Sequence, residues 1–429
     1  LKKLLLIHPR SERGYWGKVS GSGKAGFVRL SLPAIAALTP PDWEIEILDA
    51  RVTPVDFNKK ADLVGITAFT SEIPSAYEIA DGFRKKGIPV VMGGIHVSAL
   101  PDEGLEHSDS VVIGEAESVW KGLLSDFEKG ELKPRYRADS LIDMKGMAVS
   151  RRDLLDRRIY SSFFTLQATR GCPFNCTYCA VTAFFGNKFR TRPVGEVIEE
   201  IKRFDTKEFF FVDDNITGKP AYAKELFRSL IPLNRIWGGQ STINFARDEE
   251  LLRLYYKSGG RYSFIGFETL SESNLKKMSK SWNSPNGYKE AIKRIHGAGI
   301  NVIGSFIFGL DEDDPSVFQR TFDFIMENNV DAAQFHIVTP FPGTELYMEM
   351  DRQGRITDRD WSKYHTGEVV FRPQNMSAEE LQQGYWWIFR KTYTLGNIFK
   401  RCIRSPRNLV TRVGANISYR NKATKMPKA

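Results

Sequence analysis

The chain has 429 residues, 41% hydrophobic and 26% charged, which points to two or three domains, each able to bury a core of its own. No apolar run approaches the roughly 18 residues of a membrane span, and four cysteines without an export signal argue against a disulfide framework and for a reducing cytoplasm. The formal net charge is +9, yet nine Lys or Arg and no acid fall between 396 and 429; the rest holds 52 bases and 52 acids, so no broadly basic nucleic-acid surface is expected.

The opening Leu1–His8 is too short an apolar run for a signal peptide and is followed by Pro9 and Arg10, so it reads as a buried strand. Further brief β-branched runs follow at Trp43–Leu48, Leu63–Ala68, Ile88–Met92 and Ser110–Ile113. Between them lie helical patterns such as Ile73–Lys86, with apolar positions at Ile73, Ala76, Ile79, Ala80 and Phe83. This alternation predicts an α/β domain over 1–135, a Rossmann-like parallel sheet with crossover helices. Such sheets bind ligands beyond the carboxyl ends of their strands. The loops at those ends carry Thr70 and Ser71, Gly93 and Gly94 with His96, and Gly114 with Glu115.

Residues 136–162 read as a polar, irregular linker. A second alternation occupies 163–345, with strands at Phe163–Ala168, Phe209–Asp213, Trp237–Thr242, Tyr262–Phe267, Ile300–Phe308 and Ala333–Val338. Helical patterns separate them, at Val194–Phe204, Ala221–Leu230, Asp248–Ser258, Tyr288–Ala298 and Pro315–Asn328. Six strand–helix units are too many for a small open sheet and too few for an eight-fold barrel, so a partial (β/α)6 barrel is expected. Residues 346–429 read as mostly helical, with a basic tail.

Three of the four cysteines, Cys172, Cys176 and Cys179, sit just after the first strand of this second unit with the spacing C-x3-C-x2-C. Thiolates this close suit a metal. Zinc would want a fourth ligand, and neither a second CxxC nor a His pair supplies one. An iron–sulfur cluster is the stronger reading, and three ligands for a cubane leave one iron open to substrate. Cys402, far away in the tail, is expected to be a half-buried apolar residue.

At the end of the first strand of a partial barrel, C-x3-C-x2-C resembles the radical S-adenosylmethionine (SAM) enzymes. The resemblance implies a 4Fe–4S cluster whose open iron takes the amino and carboxylate groups of SAM. Reductive cleavage then yields methionine and a 5′-deoxyadenosyl radical. It also implies a reductant such as flavodoxin or ferredoxin. Tyr178 holds the family's aromatic position beside the adenine. Asp213, Asp214 and Asn215, at the end of the second strand, match the amino-group position by placement, though not in the commoner Gly-Gly-Glu form; which side chain acts is open. Glu268 resembles the glutamate of the GxE pattern. Gly309 ends a strand similar to the adenine-binding one, and Gln240 and Thr242 on the third strand could reach SAM or substrate.

The segments Val90-Val-Met-Gly-Gly-Ile-His96 and Val112-Ile-Gly-Glu115 are similar to the cobalamin-binding domain that precedes the barrel in a large radical SAM subgroup. So are Phe185-Gly186 with Arg190 and Arg192, Thr339–Thr344, and Arg372-Pro with Met376-Ser377 and Glu380-Leu381. The resemblance therefore covers nearly the whole chain and implies cobalamin in the crevice beside Thr70, Ser71, Gly93, Gly94, Gly114 and Glu115. No Asp-x-His-x-x-Gly sequence offers a lower histidine ligand, and His96 is read as a loop hydrogen-bonder. The activity implied is methyl transfer to an unactivated carbon of a hydrophobic lipid or tetrapyrrole, as in hopanoid and bacteriochlorophyll methylases. The alternative is oxidation or cyclisation without methyl transfer, as in the oxygen-independent tetrapyrrole cyclase. A transfer-RNA methylthiotransferase would need a second cysteine trio near the amino end, which is absent.

In the tail, Tyr385-Trp-Trp-Ile-Phe389 begins an apolar helical pattern that runs through Leu395, Ile398, Phe399, Cys402 and Ile403. Pro406 interrupts it, and Leu409, Val410 and Val413 resume it among arginines. Two readings stand. The aromatic half packs under the barrel, or the basic amphipathic segment lies on the inner face of a membrane as a peripheral contact.

Overall fold

The computed structural model describes residues 1–11, 13, 24–403 and 409–427. Its first sheet is built of six parallel strands: β1 (Lys2–His8), β2 (Trp43–Asp49), β3 (Leu63–Thr67), β4 (Val90–Gly93), β5 (Ser110–Ile113) and β6 (Arg135–Arg137). Their order is β2-β1-β3-β4-β5-β6. The order reverses between β1 and β3, which opens a crevice at their carboxyl ends. Both faces are covered. The helix Ile73–Arg84 buries Ile73, Ala76, Ile79, Ala80 and Phe83 on one side, while Trp120, Leu123 and Leu124 pack with Leu4, Leu6 and Leu63 on the other.

β6 was not expected. It lies in the stretch that reads as linker, because a strand of three residues with only Tyr136 turned inward shows no periodicity. The same stretch contributes Tyr160–Ser162, which pairs with Ala25–Phe27, and Arg152, whose buried guanidinium meets Glu200 at 2.8 Å and donates to the Thr165 carbonyl at 2.6 Å.

The second sheet is also parallel and runs in chain order: β7 (Thr165–Leu166), β8 (Glu208–Phe211), β9 (Ile236–Ser241), β10 (Gly260–Glu268), β11 (Asn301–Phe308) and β12 (Ala332–Ile337). β7 and β12 are its edges, so the barrel is open. Each crossover helix presents one apolar stripe to the sheet; Pro220–Leu230 buries Tyr222, Ala223, Leu226, Phe227 and Leu230.

The carboxyl-terminal region packs against the open side. Helix Ala378–Thr392 starts in a capping box, where Ser377 Oγ accepts from the Glu380 amide at 3.1 Å and Glu380 Oε2 accepts from the Ser377 amide at 2.7 Å. Tyr385, Ile388 and Phe389 are buried in the barrel core, with Trp386 and Trp387 half-buried against it. The Tyr393 hydroxyl accepts from the Ala333 amide at 2.8 Å and donates to the Ala333 carbonyl at 2.5 Å. Helices Leu395–Ile403 and Leu409–Ala423 follow. Pro406 lies outside the described residues. Among those described, no helix is long and apolar enough to cross a membrane.

Candidate functional site

The cysteine loop hangs from the end of β7 and is tied down at both flanks. Asp213, fully buried, accepts from the amides of Ala168 and Thr169 and from Thr169 Oγ1 at 2.6 Å. Burial pushes its carboxyl up to about 7 against these donors. Asp214 Oδ2 accepts from the Gly171 amide at 3.1 Å. Gly171 has φ 83°, and a Cβ there would stand 2.2 Å from the Lys188 carbonyl oxygen, so only glycine lets the loop turn so close to the returning chain.

Within the loop, Cys172, Cys176 and Cys179 are half-buried and unpaired. Burial pushes all three thiols up, Cys176 to about 12 although the Lys280 ammonium opposes the shift. Asn215 is buried beside Cys172; its Oδ1 accepts from Thr217 Oγ1, and among the described residues its Nδ2 has no hydrogen-bond partner. Tyr178 donates to Glu268 Oε1 at 3.0 Å, and its phenol is held well above its usual range by burial and by that carboxylate. Glu268 ends β10 with φ 65° and pairs with the buried Lys280. Phe174 stacks on Trp282 at 3.8 Å, and Lys280 lies over the same indole. Sequence reasoning missed Lys280 because it sits in a turn between two helices, outside any strand end.

A cavity of about 610 Å³ separates the strand ends of the two sheets. From the first sheet it is lined by His8, Gly93, Gly94, Gly114 and Glu115; from the second by Gln167, Arg170, Asp214 and Gln240. Gly94 has φ 101°, and a Cβ would approach the Ala68 carbonyl oxygen to 2.9 Å. Thr70 and Ser71 are not among its lining residues. They lie in a short turn whose ends, Phe69 and Glu72, face the cavity instead, with the Arg29 guanidinium over Phe69 and paired to Glu72 at 2.5 Å. Glu115 lines the wall, but both its oxygens are engaged: Oε1 by Arg170 at 2.6 Å, and Oε2 by Arg190 at 2.7 Å and the Ile142 amide at 2.8 Å. It thereby joins the end of β5 to both flanks of the cysteine loop. Gly309 lies apart from the cavity, its amide donating to Asp313 at 3.1 Å, and Thr242 precedes a short turn at the end of β9 without a side-chain capping bond. His96 Nε2 meets Glu103 at 3.3 Å, and Cys402 is buried in the tail beside Asn416.

Residues 166–325 match the radical SAM superfamily, 28–124 the B12 binding domain, and 344–426 a domain of unknown function (DUF4070). The bacteriochlorophyllide d C-12(1)-methyltransferase of Chlorobaculum tepidum is 33% identical, over 95% of this chain and 91% of that protein. This chain belongs to the cobalamin-binding radical SAM enzymes. The anaerobic magnesium-protoporphyrin IX monomethyl ester cyclase of Cereibacter sphaeroides is 25% identical over 92% of this chain and 71% of its own length. In fold, the chain matches the radical SAM methyltransferase TsrM of Kitasatospora setae, solved with cobalamin and a [4Fe-4S] cluster, with a TM-score of 0.70 over 99% of each chain at 16% identity.

The enzyme's cofactors are accordingly a 4Fe–4S cluster, SAM and cobalamin. The donor set fits them. Bound iron would supply the positive charge that favours the thiolate form of these desolvated thiols. Among the described residues no three His, Cys, Asp or Glu side chains converge on a single ion.

Proposed function

We propose that this radical SAM enzyme transfers a methyl group to an unactivated carbon of a hydrophobic substrate, a tetrapyrrole before a lipid. The observation that carries the reading is the shared cavity. The glycine-rich strand ends of the B12-type sheet and the residues flanking the cysteine loop, Arg170, Val181, Phe184 and Phe185, open onto one chamber, which Phe27 and Phe69 also border. Aromatic walls suit a flat apolar ligand and exclude water from a reactive site. The relative named for methyl transfer is more similar to this chain than the cyclase is, which favours methylation over oxidative cyclisation.

In this reading Cys172, Cys176 and Cys179 hold the cluster, and Asn215 offers its free Nδ2 hydrogens to the Cys172 side of it. Asp214, Gln240, Tyr178 and Glu268 contact SAM, and Gly93, Gly94 and Gly114 let the corrin approach the backbone. When bound, these groups supply an electron for opening SAM and a cobalt centre able to carry a methyl group. The chain positions and shields. Asp213 fixes the root of the cysteine loop, Lys280 neutralises Glu268, and Glu115 locks the two strand-end surfaces together. A flavodoxin- or ferredoxin-type carrier is the proposed electron source.

The test is anaerobic reconstitution with cobalamin, then mass detection of 5′-deoxyadenosine, S-adenosylhomocysteine and product with a bacteriochlorophyllide d and with a hopanoid offered separately. A methylated tetrapyrrole is expected. Tetrapyrrole turnover with 5′-deoxyadenosine but neither S-adenosylhomocysteine nor added methyl would replace the reading by oxidation.

A further inference from the structure

The last two helices bury two of their cations and leave apolar side chains outside. Arg401 is 2% exposed and donates to Asn416 Oδ1 at 2.7 Å; Arg412 is 4% exposed, meets Asp331 at 2.5 Å and donates to Asn301 Oδ1 at 3.0 Å. Asn416, fully buried, donates to the Asp331 carbonyl at 2.8 Å. Ile398, Cys402, Tyr419 and Ala423 are buried as well, but two apolar stripes point outward. Leu395, Phe399 and Ile403 on one helix, and Leu409, Val413 and Ile417 on the next, repeat every four residues and are 38% to 64% exposed. An i, i+4, i+8 series forms one stripe along a helix. Two such stripes left in water carry an unfavourable hydration cost that only a partner can remove.

We propose that this outer face docks on an anionic lipid bilayer, the six side chains entering the acyl boundary and the neighbouring cations meeting the headgroups. The charge pattern selects this occupant. Between 396 and 429 there is no acid, and of the described exposed cations Lys400 lies on the first helix and Lys425 two residues past the second. A second copy of the chain, placed by a two-fold axis, would oppose one acid-free cationic segment to another. Apolar insertion combined with attraction to anionic headgroups is what holds interfacial helices, and each cation near such a surface contributes about fivefold in partitioning at low salt. The inference stands apart from the choice of substrate, since it uses nothing from the cavity.

Cosedimentation of the full chain with vesicles of phosphatidylglycerol and phosphatidylcholine, or of phosphatidylcholine alone, tests it. Wild type should pellet with the former at low salt and be released by high salt. The double substitution Phe399→Glu and Ile417→Glu should lower partitioning by about a hundredfold or more, on the order of what two buried apolar side chains contribute. Lys400→Gln with Lys425→Gln should lower it about 25-fold at low salt. Both variants should keep their iron content and urea midpoint, because the altered residues are exposed. Equal binding to both vesicle types, or unchanged pelleting of the glutamate variant, would overturn the proposal. So would a wild-type dimer that the glutamate variant converts to monomer, which would assign the face to a second copy.

Discussion

Replacing Lys280 by Met isolates the charge balance beside the cysteine loop. The side chains of Lys280 and Glu268 are 7% and 9% exposed. Removing one partner of a buried ion pair costs about 3–5 kcal/mol, chiefly because the other charge stays desolvated. Here Glu268 keeps the Tyr178 hydroxyl as donor, so about 3 kcal/mol is expected, the lower end of that range. Glu268 also holds a left-handed backbone conformation, φ 65°, which needs its surroundings intact. The double substitution Lys280→Met with Glu268→Gln removes both charges and should recover about 2 kcal/mol of the loss. Urea midpoints of the cluster-loaded chain under anaerobic conditions measure the cycle, and the SAM concentration for half-maximal 5′-deoxyadenosine release reports on Glu268. A single variant destabilised by less than about 1 kcal/mol, or strictly additive effects in the double, would refute the reasoning.

Cys176→Ala should lose cluster iron and SAM cleavage, whereas Cys402→Ala should retain both; iron analysis after reconstitution decides. His8, deeply buried at the end of β1, has its imidazole lowered to about 3 by desolvation and by the nearby Arg29. The unfolded chain therefore binds a proton that the native one refuses. The stability this group contributes is complete above about pH 6.5 and falls toward pH 3, by about 1.4 kcal/mol per unit. Across that window His8→Leu should lose less stability than wild type by that slope, measured as urea midpoints between pH 7 and pH 5. Glu115→Gln leaves Arg170 with Glu117, at 2.8 Å, and Gln167 Oε1, at 3.1 Å, and Arg190 with the Ile142 carbonyl. It should cost about 2–4 kcal/mol and weaken cobalamin retention, read as bound corrin after gel filtration; unchanged retention would limit Glu115 to a local role.

The cysteine trio and the paired glycines were legible because a strand ending in a turn has a local signature. The apolar run stops and glycine or an acid follows. The same logic reached Asp213, Asp214 and Asn215, but not what divides them. Asp213 spends its oxygens on Ala168 and Thr169, and that depends on a loop some forty-five residues earlier. Lys280 and the Arg29–Glu72 pair were not legible, since nothing local marks a cation whose partner arrives from another element. At the cavity mouth, the polar Thr70 and Ser71 drew attention that belongs to Phe69 and Glu72, because the short turn rotates its ends inward. In the tail, nothing local marks Arg401 and Arg412 as buried. Asp331 and Asn301, from the barrel, gave Arg412 an interior partner, and Asn416 gave one to Arg401.

The hydroxyl of Tyr393 has a consequence for the open barrel as a polymerisation risk. β12 is an edge strand, and an edge strand presents unpaired amides and carbonyls that can template the same strand of another molecule. At Ala333 both groups are met by that one hydroxyl, and Asn416 takes the Asp331 carbonyl just before the strand. The carboxyl-terminal helices thus act as a stopper on a sheet that would otherwise remain adhesive. Shortening the chain before Tyr393 would therefore yield protein that self-associates through β12 rather than a smaller, well-behaved enzyme, and the loss would be visible as light scattering before any change in catalysis could be measured.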